Sequence, residues 1–272
     1  MSLSMSFIEI KNLWQRFGEQ VVFEQLNARV ERGEFVTIVG ASGCGKTSFL
    51  NVLLGTQRPS RGRVLVAGQP LRDEPDAERG VVFQRYSVFP HLTVVQNVLI
   101  AREFEGSPLL GRLFGARRRR ALEEVAELLQ AVGLAEAANK YPCELSGGMQ
   151  QRLAIAKALI KKPKILLLDE PFGALDPGIR ADMHALLSAL WREHRLTIFM
   201  VTHDLKEAFQ LGSRLWVFDK IRRDRHSPEA YGAHITYDIP IDRNSNALRR
   251  GAQQTAVAQR RKYEAVPTAA GR

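Results

Sequence analysis

Cysteine is nearly absent from this chain: 272 residues contain two, Cys44 and Cys143, far apart. Two lone thiols make neither a disulfide framework nor a metal site, and a reducing cytoplasm is the expected setting. No stretch approaches the roughly 20 apolar residues that a membrane-spanning helix needs. The most apolar runs, Ile165 to Leu168 and Leu196 to Val201, are strand-length and bounded by charged or polar residues. The opening MSLSMSFIEIKN lacks a basic segment followed by an apolar core, so no secretory signal is expected. Any membrane link is therefore expected to run through a partner.

Acid is also in deficit, with 29 Asp and Glu against 39 Lys and Arg and a net charge of +10. The imbalance is local. From Arg243 to Arg272 there are seven basic residues (Arg243, Arg249, Arg250, Arg260, Arg261, Lys262, Arg272) against one acid, Glu264, which accounts for six of the ten charges. A second basic block is Arg117–Arg120. Residues 243–272 read as a solvated, flexible tail. Contact with anionic lipid headgroups is the sharper alternative. No specific nucleic-acid binding is expected, because no aromatic residues interleave with the arginines and no reading module is recognisable.

What is present is a chain with 45% apolar and 25% charged residues, enough for one large domain or one domain plus a small appendage. FIEIKNL and VVFEQLNARV, separated by Phe17-Gly18-Glu19, predict antiparallel strands near the start. Phe35–Val39 predicts a buried strand running into a glycine-rich turn and the helix TSFLNVLLG. Arg63–Val66 and Gly80–Phe83 read as short strands, and the helical period dominates from about Val94 to Ile160. ARRRRALEEVAELLQAVGL places apolar residues at helical spacing and stops at Gly133. Strands in KILLLD, LTIFMVTH and RLWVFDK alternate with helices, which implies a parallel sheet covered on both faces. After about Asp219 the regular pattern weakens. The fold class expected is α/β, with an antiparallel β-subdomain at the N-terminus, a helical subdomain at about 90–160, and one domain over residues 7–242.

The chemistry begins at Gly40-Ala41-Ser42-Gly43-Cys44-Gly45-Lys46-Thr47, a complete G-x-x-x-x-G-K-[ST] between a strand and a helix, with Ser48 following. Glycines let backbone N–H groups curl around phosphate oxygens. Lys46 supplies charge to the β- and γ-phosphates, and Thr47 offers a hydroxyl to Mg²⁺. The helix N-terminus points at the anion. Cys44 inside the loop is read as a packing residue whose backbone does the binding. Ile165 to Pro171 places two acids after an apolar strand: Asp169 to hold Mg²⁺, and Glu170 to polarise water as a general base.

These two motifs establish nucleotide hydrolysis and little more. Leu145-Ser146-Gly147-Gly148-Met149-Gln150-Gln151-Arg152 narrows the reading. Ser146 and two glycines at a helix start form a second phosphate nest, although the chain already has one, so it is expected to serve another molecule's ATP. This stretch, just upstream of the two acids, resembles the signature sequence of ABC transporter ATPases. The resemblance covers roughly residues 7 to 220. It implies a homodimer closing over two ATP and Mg²⁺, with each ATP between Lys46 of one copy and Ser146 to Gly148 and Gln150 of the other. It further implies that Gln84 senses Mg²⁺ and the γ-phosphate, that Asp176 in the D-loop crosses the dimer interface, and that His203 acts as the switch histidine. A lone His after an apolar strand is more often structural; its place 33 residues past Glu170 favours the switch role. Phe17 resembles the adenine-stacking aromatic, with Trp14 as its competitor.

Gln84–Pro90 with Tyr141-Pro142 is most similar to importers of the nitrate, sulfonate and taurine branch. That implies transmembrane permease subunits, which Tyr86, Val88, Phe89 and Leu92 would dock. It also implies a periplasmic solute-binding protein and a location on the cytoplasmic face of the bacterial cell membrane. Two stretches depart from the branch. EFEGSPLLGRLFGARRRR is longer than its counterpart, and FDKIRRDRHSPEAYGAHITYDIPI resembles endings found beside genes of urea-carboxylase type, which favours urea- or guanidine-like solutes. An exporter or lipid-extracting ATPase is the alternative.

Overall fold

A computed structural model of the chain describes residues 6–83, 88–106, 112–222 and 230–242. Gln84 and Tyr86, central to two expectations, and the basic tail lie outside them.

Two sheets carry the architecture. Strands β1 (Ile8–Phe17) and β2 (Gln20–Val30) pair antiparallel through the Gly18-Glu19 turn, where Gly18 has φ 57°. Positive φ is the conformation glycine enters without a Cβ penalty. Strands β4 (Arg61–Val66) and β5 (Gln69–Pro70) complete a four-stranded sheet in the order β2-β1-β4-β5. The second sheet contains β3 (Phe35–Gly40), β6 (Arg79–Val82), β7 (Ile165–Asp169), β8 (Thr197–Val201), β9 (Arg214–Asp219) and β10 (His234–Pro240), in the order β10-β9-β3-β8-β7-β6. Its first five strands in sequence pair parallel, and β10 runs antiparallel along β9.

The helices are α1 (Lys46–Leu54), α2 (Val94–Gly106), α3 (Gly115–Ala131), α4 (Gly147–Leu159), α5 (Pro177–His194) and α6 (Leu205–Leu211). Strand side chains alternate between faces, so a strand apolar at every position must be covered on both. That is what happens. Leu166, Leu168, Ile198 and Met200 join a core with residues of α2 to α5, while Ile165, Leu167, Phe199 and Val201 join a second core with α1 and the antiparallel sheet. Phe49 of α1 centres the second core, edge-on to Phe23, Phe199, Trp216 and Phe218.

β10 corrects the expectation that regular structure fades after Asp219. Its residues are only half-buried or exposed, so HITYDIP lacks the apolar signal of a core strand. Its partner, not its own sequence, makes it a strand. Buried Glu24 on β2 holds this returning segment. Its Oε1 accepts from Arg222 Nη2 at 2.8 Å and Gly232 N at 3.3 Å, and lies 3.2 Å from His234 Nε2.

Candidate nucleotide site

The buried strand β3 delivers its last residue, Gly40, to a loop that turns straight into α1. Gly45 sits there at φ 88°, and a Cβ on it would lie 2.5 Å from Val22 Cγ1. Only glycine fits at that point. Lys46 folds over the loop, its Nζ donating to Gly40 O at 2.8 Å and Ala41 O at 2.9 Å. Cys44 is buried, and its Sγ is 3.8 Å from that ammonium. Burial pushes the thiol up from its ordinary pKa, so it is a packing group.

Across the sheet, β7 ends in Asp169, whose Oδ2 accepts from Thr47 Oγ1 at 2.9 Å. Burial raises the Asp169 pKa and neighbouring Glu170 adds to the rise, while Thr47 and Lys46 oppose it. Glu170 follows at φ 46°, in the left-handed region, with its N–H donating to Val201 O at 3.0 Å. The adjacent strand β8 leads to His203, whose Nδ1 is 3.6 Å from Glu170 Oε2. Parallel pairing of β7 with β8 therefore brings the two side chains together.

A cavity of about 390 Å³ is lined by Phe17, Gln20, the loop from Gly40 through Ser42 and Gly43 to Ser48, Glu170, Val201 and His203. Phe17 stands at its edge, 52% exposed. Trp14 lines a different cavity, beside Arg61 and Tyr231, and its Nε1 donates to Asn12 Oδ1. Gln20 and Val22 also line this cavity, two residues beyond the sequence expectation; their place directly after the turn that carries Phe17 is the signal for them.

The signature residues lie elsewhere. Ser146 caps α4, its Oγ accepting from Met149 N at 3.3 Å, and Gln150 Nε2 turns back to Pro142 O at 3.0 Å and Leu145 O at 3.3 Å. Asp176 is exposed at the start of α5, its carbonyl accepting from Arg180 N at 2.9 Å. Among the described residues that line the cavity, none is Ser146, Gly147, Gly148, Gln150 or Asp176. Phe89 is 41% exposed, with Lys157 Nζ 4.3 Å over its ring; Val88 packs partly buried against the helical core.

Residues 23–173 match the ABC transporter family. The chain belongs to that family. Among ABC relatives, the aliphatic sulfonates import ATP-binding protein SsuB 1 of Burkholderia lata is 38% identical over 236 residues, 87% of this chain and 65% of that protein. The spermidine/putrescine import ATP-binding protein PotA of Chromobacterium violaceum is 41% identical over 215 residues, covering 78% of this chain. The chain thus spans under two-thirds of the length of both relatives, 65% and 57%. A dimeric ATP-binding cassette in a post-hydrolysis state, bound to ADP and Pi, superposes with TM-score 0.65 at 31% identity, covering 86% of this chain and 99% of that one. The expected α/β cassette fold is the fold of that ABC cassette structure, and no helix among the described residues is long and apolar enough to cross a membrane.

Proposed function

We propose that the chain is the ATP-hydrolysing subunit of an importer, working as a twofold pair with transmembrane permease subunits and a periplasmic solute-binding protein at the cytoplasmic face of the cell membrane. One observation carries the reading: a single cavity collects the phosphate loop, Glu170 and His203, while the second phosphate nest at Ser146 lies outside it. A nest that cannot reach its own chain's cavity is of use to a second copy, and a twofold pair makes both half-sites whole.

Lys46 exchanges its carbonyl acceptors for phosphate oxygens, and the loop amides and the start of α1 hold the rest of the anion. Phe17 stacks on adenine from the edge of the cavity. The Thr47 hydroxyl and the Asp169 carboxylate, 2.9 Å apart, are hard oxygen donors of the kind Mg²⁺ takes when phosphates supply its other ligands. When bound, the ion neutralises charge on the β- and γ-phosphates. Glu170 takes a proton from the attacking water, His203 steadies the γ-phosphate, and ADP and phosphate leave as the pair reopens. Gln84 is assigned as a further Mg²⁺ and γ-phosphate contact and Asp176 as an interface residue.

The name of the Burkholderia relative supports a sulfonate-like or other small polar solute, and import names on both relatives favour an importer over an exporter. The test is ATP turnover by the purified chain with Mg²⁺, alongside Glu170→Gln. The variant is expected to bind ATP, hydrolyse none and accumulate as a dimer on size exclusion; normal turnover would overturn the role of Glu170.

A further inference from the structure

His203 is far more exposed than Glu170, its side chain 67% exposed against 29%, so side-chain packing does little to aim it. Its backbone is held from beneath. Glu207 is buried and both its carboxylate oxygens are engaged: Oε1 lies 2.8 Å from His184 Nε2, and Oε2 accepts from Thr202 Oγ1 at 2.5 Å. A carboxylate only accepts, so His184 Nε2 carries the proton. The Thr202 hydroxyl in turn accepts from Asp204 N at 3.1 Å, and Asp204 caps α6 through Lys206 N at 2.8 Å. The residues on both sides of His203 are therefore pinned to one buried carboxylate.

The same imidazole packs against the loop that follows the other reacting group. Phe172, two residues past Glu170, lies edge-on to His184 with ring centroids 5.1 Å apart. A cavity of about 10 Å³, room for about one water centre, is lined by Glu170, His203, Thr202 and Glu207. Burying such polar groups is a liability for stability unless every partner is present, and a complete set fixes one arrangement.

We propose that the buried set of His184, Glu207 and Thr202 aims His203, and that His184 is a positioning residue tying α5 to both loops that carry the reacting groups. This rests on the cavity being an ATPase site. Ile179, five residues before His184 on α5, crowds Gly148 of the signature, where a Cβ would lie 2.5 Å from Ile179 Cγ2. The set is thus joined through one helix to the nest that would meet the partner's ATP.

The experiment measures steady-state and single-turnover ATPase rates, fluorescent-nucleotide binding and thermal midpoints of the full chain. Thr202→Val keeps the shape and removes the hydroxyl; His184→Ala removes the donor. Displacing a reacting group by a fraction of an ångström is expected to lower kcat about tenfold or more in either variant, with nucleotide affinity within about twofold. Thr202→Ser and His184→Gln, which restore the donors, are expected to recover most of the rate. In a His203→Ala background, with residual turnover read at enzyme excess, Thr202→Val is expected to add nothing further and His184→Ala only the smaller loss that passes through the Glu170 loop. Equal losses in both backgrounds, no recovery with Gln or Ser, or unchanged kcat would overturn the proposal. A wild-type chain that hydrolyses no ATP would overturn the ATPase reading and this proposal with it.

Discussion

Thr47 and Asp169 are 122 positions apart in sequence, yet the hydroxyl of one donates to the carboxylate of the other at 2.9 Å. One opens α1 and the other ends β7, so the bond joins the phosphate loop to the strand two places across the sheet. Burial and the Glu170 charge hold the Asp169 pKa above its ordinary value. An acid with a raised pKa binds more protons folded than unfolded, so its stabilising share is complete below the unfolded pKa and is lost as pH rises through the folded one. Above that folded pKa the ionised carboxylate is a net burden until a cation meets it. Asp169→Asn is therefore expected to raise the thermal midpoint without metal at pH 7, and this gain should vanish in acid. The same change should abolish the Mg²⁺-dependent part of nucleotide affinity, read by titration with and without the ion.

Lys46 tests the phosphate loop. Its two bonds to loop carbonyls are charge-assisted, and their replacement by phosphate is expected to account for about 1.5–3 kcal/mol of binding. Lys46→Ala should weaken ATP at least about tenfold in equilibrium titration; affinity within twofold of wild type would count against the assignment.

Neighbouring signature glycines should behave differently. A Cβ on Gly148 would lie 2.5 Å from Ile179 Cγ2, whereas one on Gly147 has 3.8 Å to Leu175 Cδ2. Gly148→Ala is expected to destabilise the fold by about 1–3 kcal/mol in urea unfolding, as overpacking does, with partial recovery in combination with Ile179→Ala. Gly147→Ala should leave stability nearly unchanged and lower ATP-driven dimerisation.

Phe17 and Trp14 are separated by the cavities they line. Phe17→Ala should weaken ATP by a few-fold, in keeping with about 0.5–1.5 kcal/mol for a lost aromatic contact. Trp14→Ala should not change affinity. The reverse outcome would move the adenine contact to Trp14.

The strand-to-helix turn from Gly40 to Thr47, the acids at the end of β7 and the Ser146 cap of α4 were legible as positions because each is a local arrangement at fixed sequence spacing. His184 was not. On α5 it reads as one more polar position among arginines, and its meaning comes from Glu207, 23 residues away on another helix. β10 was hidden for the same reason: Ile235 pairs with Phe218 and Pro240 with Arg214, so its strand character comes from the neighbouring strand. Glu24 looks like any polar residue on an alternating strand, yet it is buried and holds three donors from the returning segment. Contacts of long sequence separation leave no periodic trace.

Glu170 occupies a backbone conformation, φ 46°, that glycine would adopt with less strain. Holding a side chain there costs about 1–3 kcal/mol. If Glu170 is the base proposed above, thermal resilience and catalytic competence pull against each other at this one residue: Glu170→Gly is expected to raise the thermal midpoint and to stop ATP turnover.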